Sequence, residues 1–182
     1  KQGNGDPVFA VDSAVTNLGK TAPRHYYGAD IQVKLKHGWG ETEWRSEYWR
    51  GKQPGTSGTT VNPGTLPAVN GVPLPTYIRQ FDGAFLLFLQ NIVNAKHQLM
   101  IKYDWYDPNT GTAGKQIGRS GTNFTAADIK YSTVGLGYSY YLNTHTRLIF
   151  YYDLVKNEIT DLAGYSSDLR DNIFTCRLHF RF

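Results

Sequence analysis

Charged side chains recur at every second position in several segments of this sequence, with apolar residues between them. Near the C-terminus, Thr175, Arg177, His179 and Arg181 alternate with Phe174, Cys176, Leu178, Phe180 and Phe182. Lys102 and Asp104 alternate with Leu99, Ile101, Tyr103 and Trp105, and Arg147 and Asp153 with Leu148, Phe150, Tyr152 and Leu154. Lys34 lies between Val33 and Leu35, while Glu43, Arg45 and Glu47 are interleaved with Thr42, Trp44, Ser46 and Tyr48. The chemistry open to such a set is electrostatic. Cations Lys34, Arg45, Lys102, Arg147, Arg177 and Arg181, sharing a surface with carboxylates Glu43, Glu47, Asp104 and Asp153, attract, repel or pair with ions and break no covalent bond.

Covalent and metal chemistry find little support. His25, His37, His97, His145 and His179 fall one per segment, without metal-ligand spacing. No G-x-S-x-G, Walker loop, CxxC or HExxH occurs. Ser46 stands on a predicted outer face with no histidine beside it, so no enzyme activity, metal or cofactor is expected. The single cysteine, Cys176, allows no internal disulfide and reads as a small hydrophobe. The net charge of +4 is scattered rather than clustered, and no nucleic-acid motif accompanies it, so nucleic acid is not an expected partner.

The elements that position these charges are strands, because a period of two places alternate side chains on opposite faces. Seven are predicted: Tyr27–Lys36, Glu41–Gly51, Tyr77–Asn91, His97–Asp107, Asp128–Tyr141, Thr146–Asn157 and Asn172–Phe182. An aromatic content of 14% with 19 glycines suits strands punctuated by turns. No stretch approaches the roughly 18–20 consecutive apolar residues of a membrane helix, but a membrane strand needs only alternate apolar positions. A dry core would have to bury Lys34, Lys102, Arg147 and Arg177, whereas a wet interior would not. Val134, Leu136, Tyr138 and Tyr140 face away from Gly135, Gly137 and Ser139, which leave space inside. Trp105, Tyr138, Tyr140 and Tyr152 are candidates for aromatic girdles. Two strands fit lipid less well. Glu41–Gly51 offers little apolar surface, and Phe85-Leu-Leu-Phe-Leu89 is apolar on both faces, as a subunit contact or an inward loop would require.

Connection lengths alternate. Residues 37–40, 92–96 and 142–145 are short, and 52–76, 108–127 and 158–171 are long and rich in Gly, Pro, Ser and Thr. Outer-membrane barrels put short turns at the periplasmic end and long loops outside. By this parity residues 1–26 form an extracellular loop, although Val8–Val15 could supply an eighth strand. The opening Lys1-Gln2-Gly3-Asn4 reads equally as the start of a mature secreted chain or of a fragment. Ending on Phe182 resembles the closing strand of bacterial outer-membrane barrels, whose terminal Phe is part of the signal read by the insertion machinery. Phe174, Leu178, Phe180 and Phe182 would then face lipid.

With the strands placed, a family resemblance emerges. The segments Glu47-Tyr-Trp-Arg-Gly-Lys-Gln-Pro-Gly-Thr-Ser57, Lys102-Tyr-Asp-Trp-Tyr-Asp-Pro-Asn109, Gly121-Thr-Asn-Phe-Thr-Ala-Ala-Asp-Ile-Lys-Tyr131 and Tyr151-Tyr-Asp-Leu-Val-Lys-Asn-Glu158, with the terminal strand, resemble the phosphate-selective porin O and P family, particularly its Bacteroidetes-type members. The resemblance implies an all-β, transmembrane antiparallel up-and-down β-barrel of about sixteen strands in the outer membrane, often trimeric. Residues 1–182 would be the C-terminal part of that one domain, supplying about seven strands. The expected function is a porin for passive diffusion of ions and small polar solutes, anions or phosphate among them. The alternative is a structural or accessory barrel subunit of a larger outer-membrane complex, and a third reading is a soluble all-β binding module. Phosphate specificity is not carried over. The inward cations are nearly balanced by Asp30, Glu41, Glu43, Glu47, Asp104 and Asp153, and the family's lysine-rich constriction finds no residue-by-residue match.

Overall fold

The computed structural model describes residues 10–12, 22–61, 68–70, 72–73 and 75–182. Its strands are β1 (Ala10–Asp12), β2 (His25–His37), β3 (Gly40–Gly55), β4 (Ala68–Val69), β5 (Val72–Pro73), β6 (Thr76–Ile92), β7 (Asn94–Asp107), β8 (Tyr131–Tyr141), β9 (Thr146–Asn157) and β10 (Ile173–Phe180). Among the described residues the only helical pieces are two 3-10 turns, Gly114–Gln116 and Ala126–Asp128. The seven long strands form one antiparallel sheet in the order β10-β9-β8-β7-β6-β3-β2, an up-and-down meander, while β4 and β5 make a separate hairpin. Each predicted strand is present. The fifth starts later than the alternation indicates, at Tyr131, because Thr125 and Asp128 cap the Ala126–Asp128 turn reciprocally and hold the chain out of the ladder.

The eighth strand lies elsewhere than a barrel count would place it. Ala10–Asp12 pairs with Thr76–Ile78 of β6, beyond the point where β7 ends at Asp107 opposite Asp82. It lengthens the loop end of the sheet, and among the described residues no strand pairs with the outer edge of β2. Most of the segment read as an extracellular loop, 1–26, lies outside the described residues, and His25 and Tyr26 belong to β2.

Residues 38–39, Val93 and 142–145 connect strands at one end of the sheet, and residues 56–75, 108–130 and 158–172 do so at the other. The turn at Val93 is strained: a β-branched residue holds φ 64° beside a bulge at Asn91/Ile92.

Because pairing is in register, the alternation becomes a property of the whole sheet. One row runs Val33–Trp44–Phe88–Ile101–Leu136–Tyr152–Phe174 across all seven strands. The next row on the opposite face runs Lys34–Glu43–Leu89–Met100–Gly137–Tyr151–Thr175. The strands are also staggered. Ile173, the first residue of β10, connects through Asp153, Gly135, Lys102 and Leu87 to Arg45, deep inside β3. The apolar band slides with this stagger. It occupies Ile31, Val33 and Leu35 on β2 but reaches Leu178 and Phe180, nearer the turn end, on β10.

Burial is inverted relative to a sheet packed on a dry core. Ile31, Val33, Leu35, Trp44, Leu86, Phe88, Ile101, Leu136, Phe150 and Phe174 are exposed. On the other face Glu43 is 5% exposed and Ser139 0%. Lys102, Asp104, Arg147 and Asp153 are half-buried. Side chains crowd one another on the polar face and splay apart on the apolar one, as they do when a sheet curls toward its polar side.

The space that Gly135 and Gly137 leave on the polar face is filled. The ring of Tyr151 lies across both glycines, and Met100 Cε stands 2.8 Å from where a Cβ on Gly137 would be. Trp49 covers Gly83 in the same way, with ring atoms 3.1 Å from the equivalent point. Aromatic rings laid over strand glycines pin register as well as fill volume. Gly137→Val should therefore cost about 1–3 kcal/mol by forcing Tyr151 off β8. Gly38→Ala, where a Cβ meets nothing within 4 Å, should stay within about 0.5 kcal/mol. Urea unfolding midpoints of the two variants check the contrast.

Candidate functional site

The polar face carries a row of charges, of which about half are paired. On β2 and β3, Gln32 and Lys34 pair in register with Arg45 and Glu43. Arg45 and Gln32 both donate to Glu43, while Lys34 Nζ lies 3.5 Å from Glu43 and 3.7 Å from Glu41. The Glu43 side chain is 7% exposed, whereas Lys34 and Arg45 are 48% and 46% exposed. A carboxylate so removed from water needs donors, and long cationic stems supply them while their ends stay wet. On β7, Lys102 and Asp104 pair at 2.7 Å. Two positions apart on one face, they are close enough to meet.

The predicted wall residues thus separate into two groups. Lys34, Arg45, Lys102, Glu43 and Asp104 are engaged in ion pairs. Glu47, Asp153, Arg147, Arg177 and Arg181 have no ion-pair partner among the described residues. Glu47 lies opposite Asp30 and Phe85, and Asp153 opposite Gly135. Arg147 donates to Tyr141 Oη at 3.2 Å and to His179 Nδ1 at 3.2 Å. The backbone N–H of Arg181 donates to the carbonyl of His145 at 2.8 Å. Arg147, Arg181, His145 and His179 share a cavity of about 220 Å³ at the turn end of β9 and β10. The unpaired cations therefore gather at one end of the wall. On the apolar face Phe174, Leu178, Phe180 and Phe182 are all exposed.

At the opposite end the long loops fold together. Ile117, Phe124 and Ile129 form a buried cluster, packed by Tyr77, Tyr131, Leu162 and Tyr165. Beside it Arg79 Nε donates to Asp128 Oδ1 at 2.7 Å, with side chains 1% and 0% exposed. Arg79 also donates to the carbonyls of Thr56 at 2.9 Å and Ser57 at 3.4 Å, tying the loop after β3 into the cluster. Asp128 accepts further from Asn109 Nδ2 at 3.0 Å and from the Thr125 N–H at 2.9 Å. Glu158 joins the third loop by accepting from the Gly114 N–H at 2.5 Å. By register Tyr77, Arg79 and Tyr131 belong to the polar face, so this folded cap sits over the charged side of the sheet.

Sequence reasoning did not single out Arg79, Asn109 or Asp128. The available signal was local: Thr125 followed by Asp128 at capping-box spacing, and the Asp107-Pro-Asn109 turn. That both lead to one arginine on a distant strand is not visible without pairing. Among the described residues no group of three or more His, Cys, Asp or Glu is placed to hold a metal. Among the described residues no helix is long and apolar enough to cross a membrane, which has no bearing on strands. No protein-family model, curated protein or solved structure matches the chain.

Arg79→Met leaves Asp128 buried without its counter-charge, and loss of one partner of such a pair costs about 3–5 kcal/mol. The expected result is selective opening of residues 108–130 to hydrogen exchange and protease while β6–β9 stay protected. Arg79→Lys should give an intermediate effect, since one ammonium cannot serve Asp128, Thr56 and Ser57 from a planar fork.

Proposed function

We propose that the chain builds part of the wall of a transmembrane β-barrel in the bacterial outer membrane, and that the barrel is a porin for passive diffusion of ions and small polar solutes. The inverted burial carries this reading. A contiguous exposed apolar face spanning seven strands is a feature that soluble monomers rarely show. Lipid is the solvent that suits it. The stagger supports the same reading, because closing a sheet into a barrel requires strands tilted about 35–45°. An apolar band parallel to a membrane then slides along successive tilted strands, as this one does.

The open edges support a larger barrel. β2 is exposed along nearly its whole length and β10 along most of its own, and among the described residues neither has a strand on its outer side. Unpaired N–H and C=O groups cannot be left in hydrocarbon, so further strands must complete the ring. The family resemblance supplies a count, about sixteen strands, and a trimeric assembly. In this arrangement Trp105 borders the apolar band on the loop side and Tyr138 and Tyr140 on the turn side, while Tyr152 stands within the band beside Leu136 and Phe174. The folded loops narrow the outer mouth.

The transport mechanism is passive. Fixed charges and hydroxyls on the polar face replace part of a solute's hydration and lower its barrier. Ion pairing of Lys34, Arg45 and Lys102 with carboxylates removes most of the field they would otherwise project into the lumen, so selectivity among small ions is weak. One observation favours the accessory-subunit reading: inward Phe85, Leu87 and Leu89 form an apolar stripe that a plug or neighbouring subunit would cover.

Two measurements test the proposal. Single cysteines placed along 174–182 in a Cys176→Ser background should label with a water-soluble thiol reagent at Thr175, Arg177, His179 and Arg181, and stay protected at the even positions. Labelling without alternation overturns the membrane assignment. Planar-bilayer recordings in a KCl gradient should show open channels with reversal potentials near zero. A strong anion preference with block by millimolar phosphate would instead establish phosphate selectivity, and absence of conductance would favour the accessory role.

A further inference from the structure

The apolar face is not uniformly filled. On β3 the outward residues Thr42 and Ser46 are short, and they leave a furrow of about 400 Å³ beside Trp44. Ile31, Val33 and Leu35 of β2 wall it on one side and Phe88 of β6 on the other. The Thr42 hydroxyl is already engaged, 2.7 Å from Gln90, so the furrow offers little to a polar ligand.

Further along the same face of the same three strands lies a second hollow, of about 360 Å³, whose lining includes His25, Tyr27, Tyr48, Arg50, Lys52 and Asp82. Ser46 in the furrow and Tyr48 in the hollow are successive outward positions of β3, so the two adjoin. From Trp44 to Arg50 the span is roughly 20 Å at about 3.3 Å per residue. Arg50 and Lys52 are exposed and have no ion-pair partner among the described residues. The one carboxylate present, Asp82, is occupied by Tyr48 Oη at 3.4 Å and Trp105 Nε1 at 3.3 Å. Arg50 lies opposite Asp82 in register, so Arg50 and Lys52 together leave the lining an excess of one positive charge, at the loop-side border of the apolar band. Cations on a lipid-facing surface are stable only where headgroups reach them.

An apolar furrow continuous with a cationic hollow fits a single ligand chemistry. We infer that the β2–β3–β6 wall is a binding site for an anionic phospholipid, with an acyl chain in the furrow and the phosphate between Arg50 and Lys52. The inference rests on the membrane reading above. It also accounts for the poor lipid surface of β3: the short side chains make room for a bound chain.

The test uses the purified protein in detergent, with phosphatidylglycerol and phosphatidylcholine of identical acyl chains as probes and native mass spectrometry as the readout. Phosphatidylglycerol should be retained roughly tenfold more than phosphatidylcholine. Arg50→Gln with Lys52→Gln should reduce that preference to about twofold or less. Ser46→Trp, which fills the furrow, should remove both lipids. The two charge substitutions are at exposed positions and leave the ladder intact, so their result stands even where Ser46→Trp fails to fold. Equal retention of the two lipids, insensitivity to the charge substitutions, or displacement by inorganic phosphate overturns the site, as does a protein neighbour found seated on β3 in place of lipid. Failure to enter detergent or vesicles at all would be a failure of the membrane reading; entry without lipid preference is a failure of this site alone.

Discussion

Everything in this molecule depends on register. Seven antiparallel strands pair residue for residue, and with a side-chain period of two a slip of one position would move every charge to the apolar face. The structure holds register with short connections and with local packing. The turn at residues 38–39, the strained Val93 beside its bulge, and the tight turn at 142–145 fix three hairpins from one end. Tyr151 across Gly135 and Gly137, and Trp49 across Gly83, fix neighbouring strands from within. A slip would lay each ring over a residue bearing a Cβ.

Register alone does not decide which face is wet. Here charge pairing and crowding bear on the question. Glu43 collects Arg45, Gln32 and Lys34 on the face where side chains converge, and the large apolar residues stand on the face where they diverge. A soluble sheet would reverse this, because each exposed Ile, Leu or Phe forgoes about 1.5–3 kcal/mol of burial. Among the described residues the buried hydrophobic side chains are Phe81, Ala84, Ile117, Phe124 and Ile129, and the last three belong to the loop cap. The sheet itself has almost no dry core, so its stability in isolation would rest on backbone pairing and on whatever medium covers its apolar side.

The strands were legible in the sequence because alternation is local: Thr146–Asn157 begins and ends where the pattern says, and Phe174–Phe180 shows its two faces directly. The alternation of short and long connections was equally legible. The partners of the wall charges were not. Lys34 meeting Glu43, or Arg147 meeting His179, depends on which residues become cross-strand neighbours, and spacing along one strand carries no such information. The loop cap was harder still. Gly- and Pro-rich segments read as turns, and nothing local in 108–130 announces that Asp128 is to meet an arginine on β6. The glycines of β8 were read as open space for a related reason: their cover, Tyr151, comes from the next strand.

The two ends of the polar face differ in a way that would bear on transport through the proposed porin. At the loop end the Arg79–Asp128 pair is buried and spent on holding loops together, so it projects little field outward. At the turn end Arg147, Arg177 and Arg181 have no ion-pair partner among the described residues, with His145 and His179 near Arg147 and Arg181. Between them lie the compensated groups around Glu43 and Asp104, together with the carboxylates Glu47 and Asp153, which have no ion-pair partner among the described residues. A solute crossing such a wall would meet a shaped but nearly neutral mouth, then paired charges, then a cationic exit. At physiological ionic strength the screening length is about 8 Å, comparable with a porin lumen, so the cationic end acts only on ions already close to it. Charge placed this way biases the last step of passage without setting an entry barrier. On the proposed porin reading, the paired wall would therefore give weak overall selectivity even though the chain carries a net charge of +4.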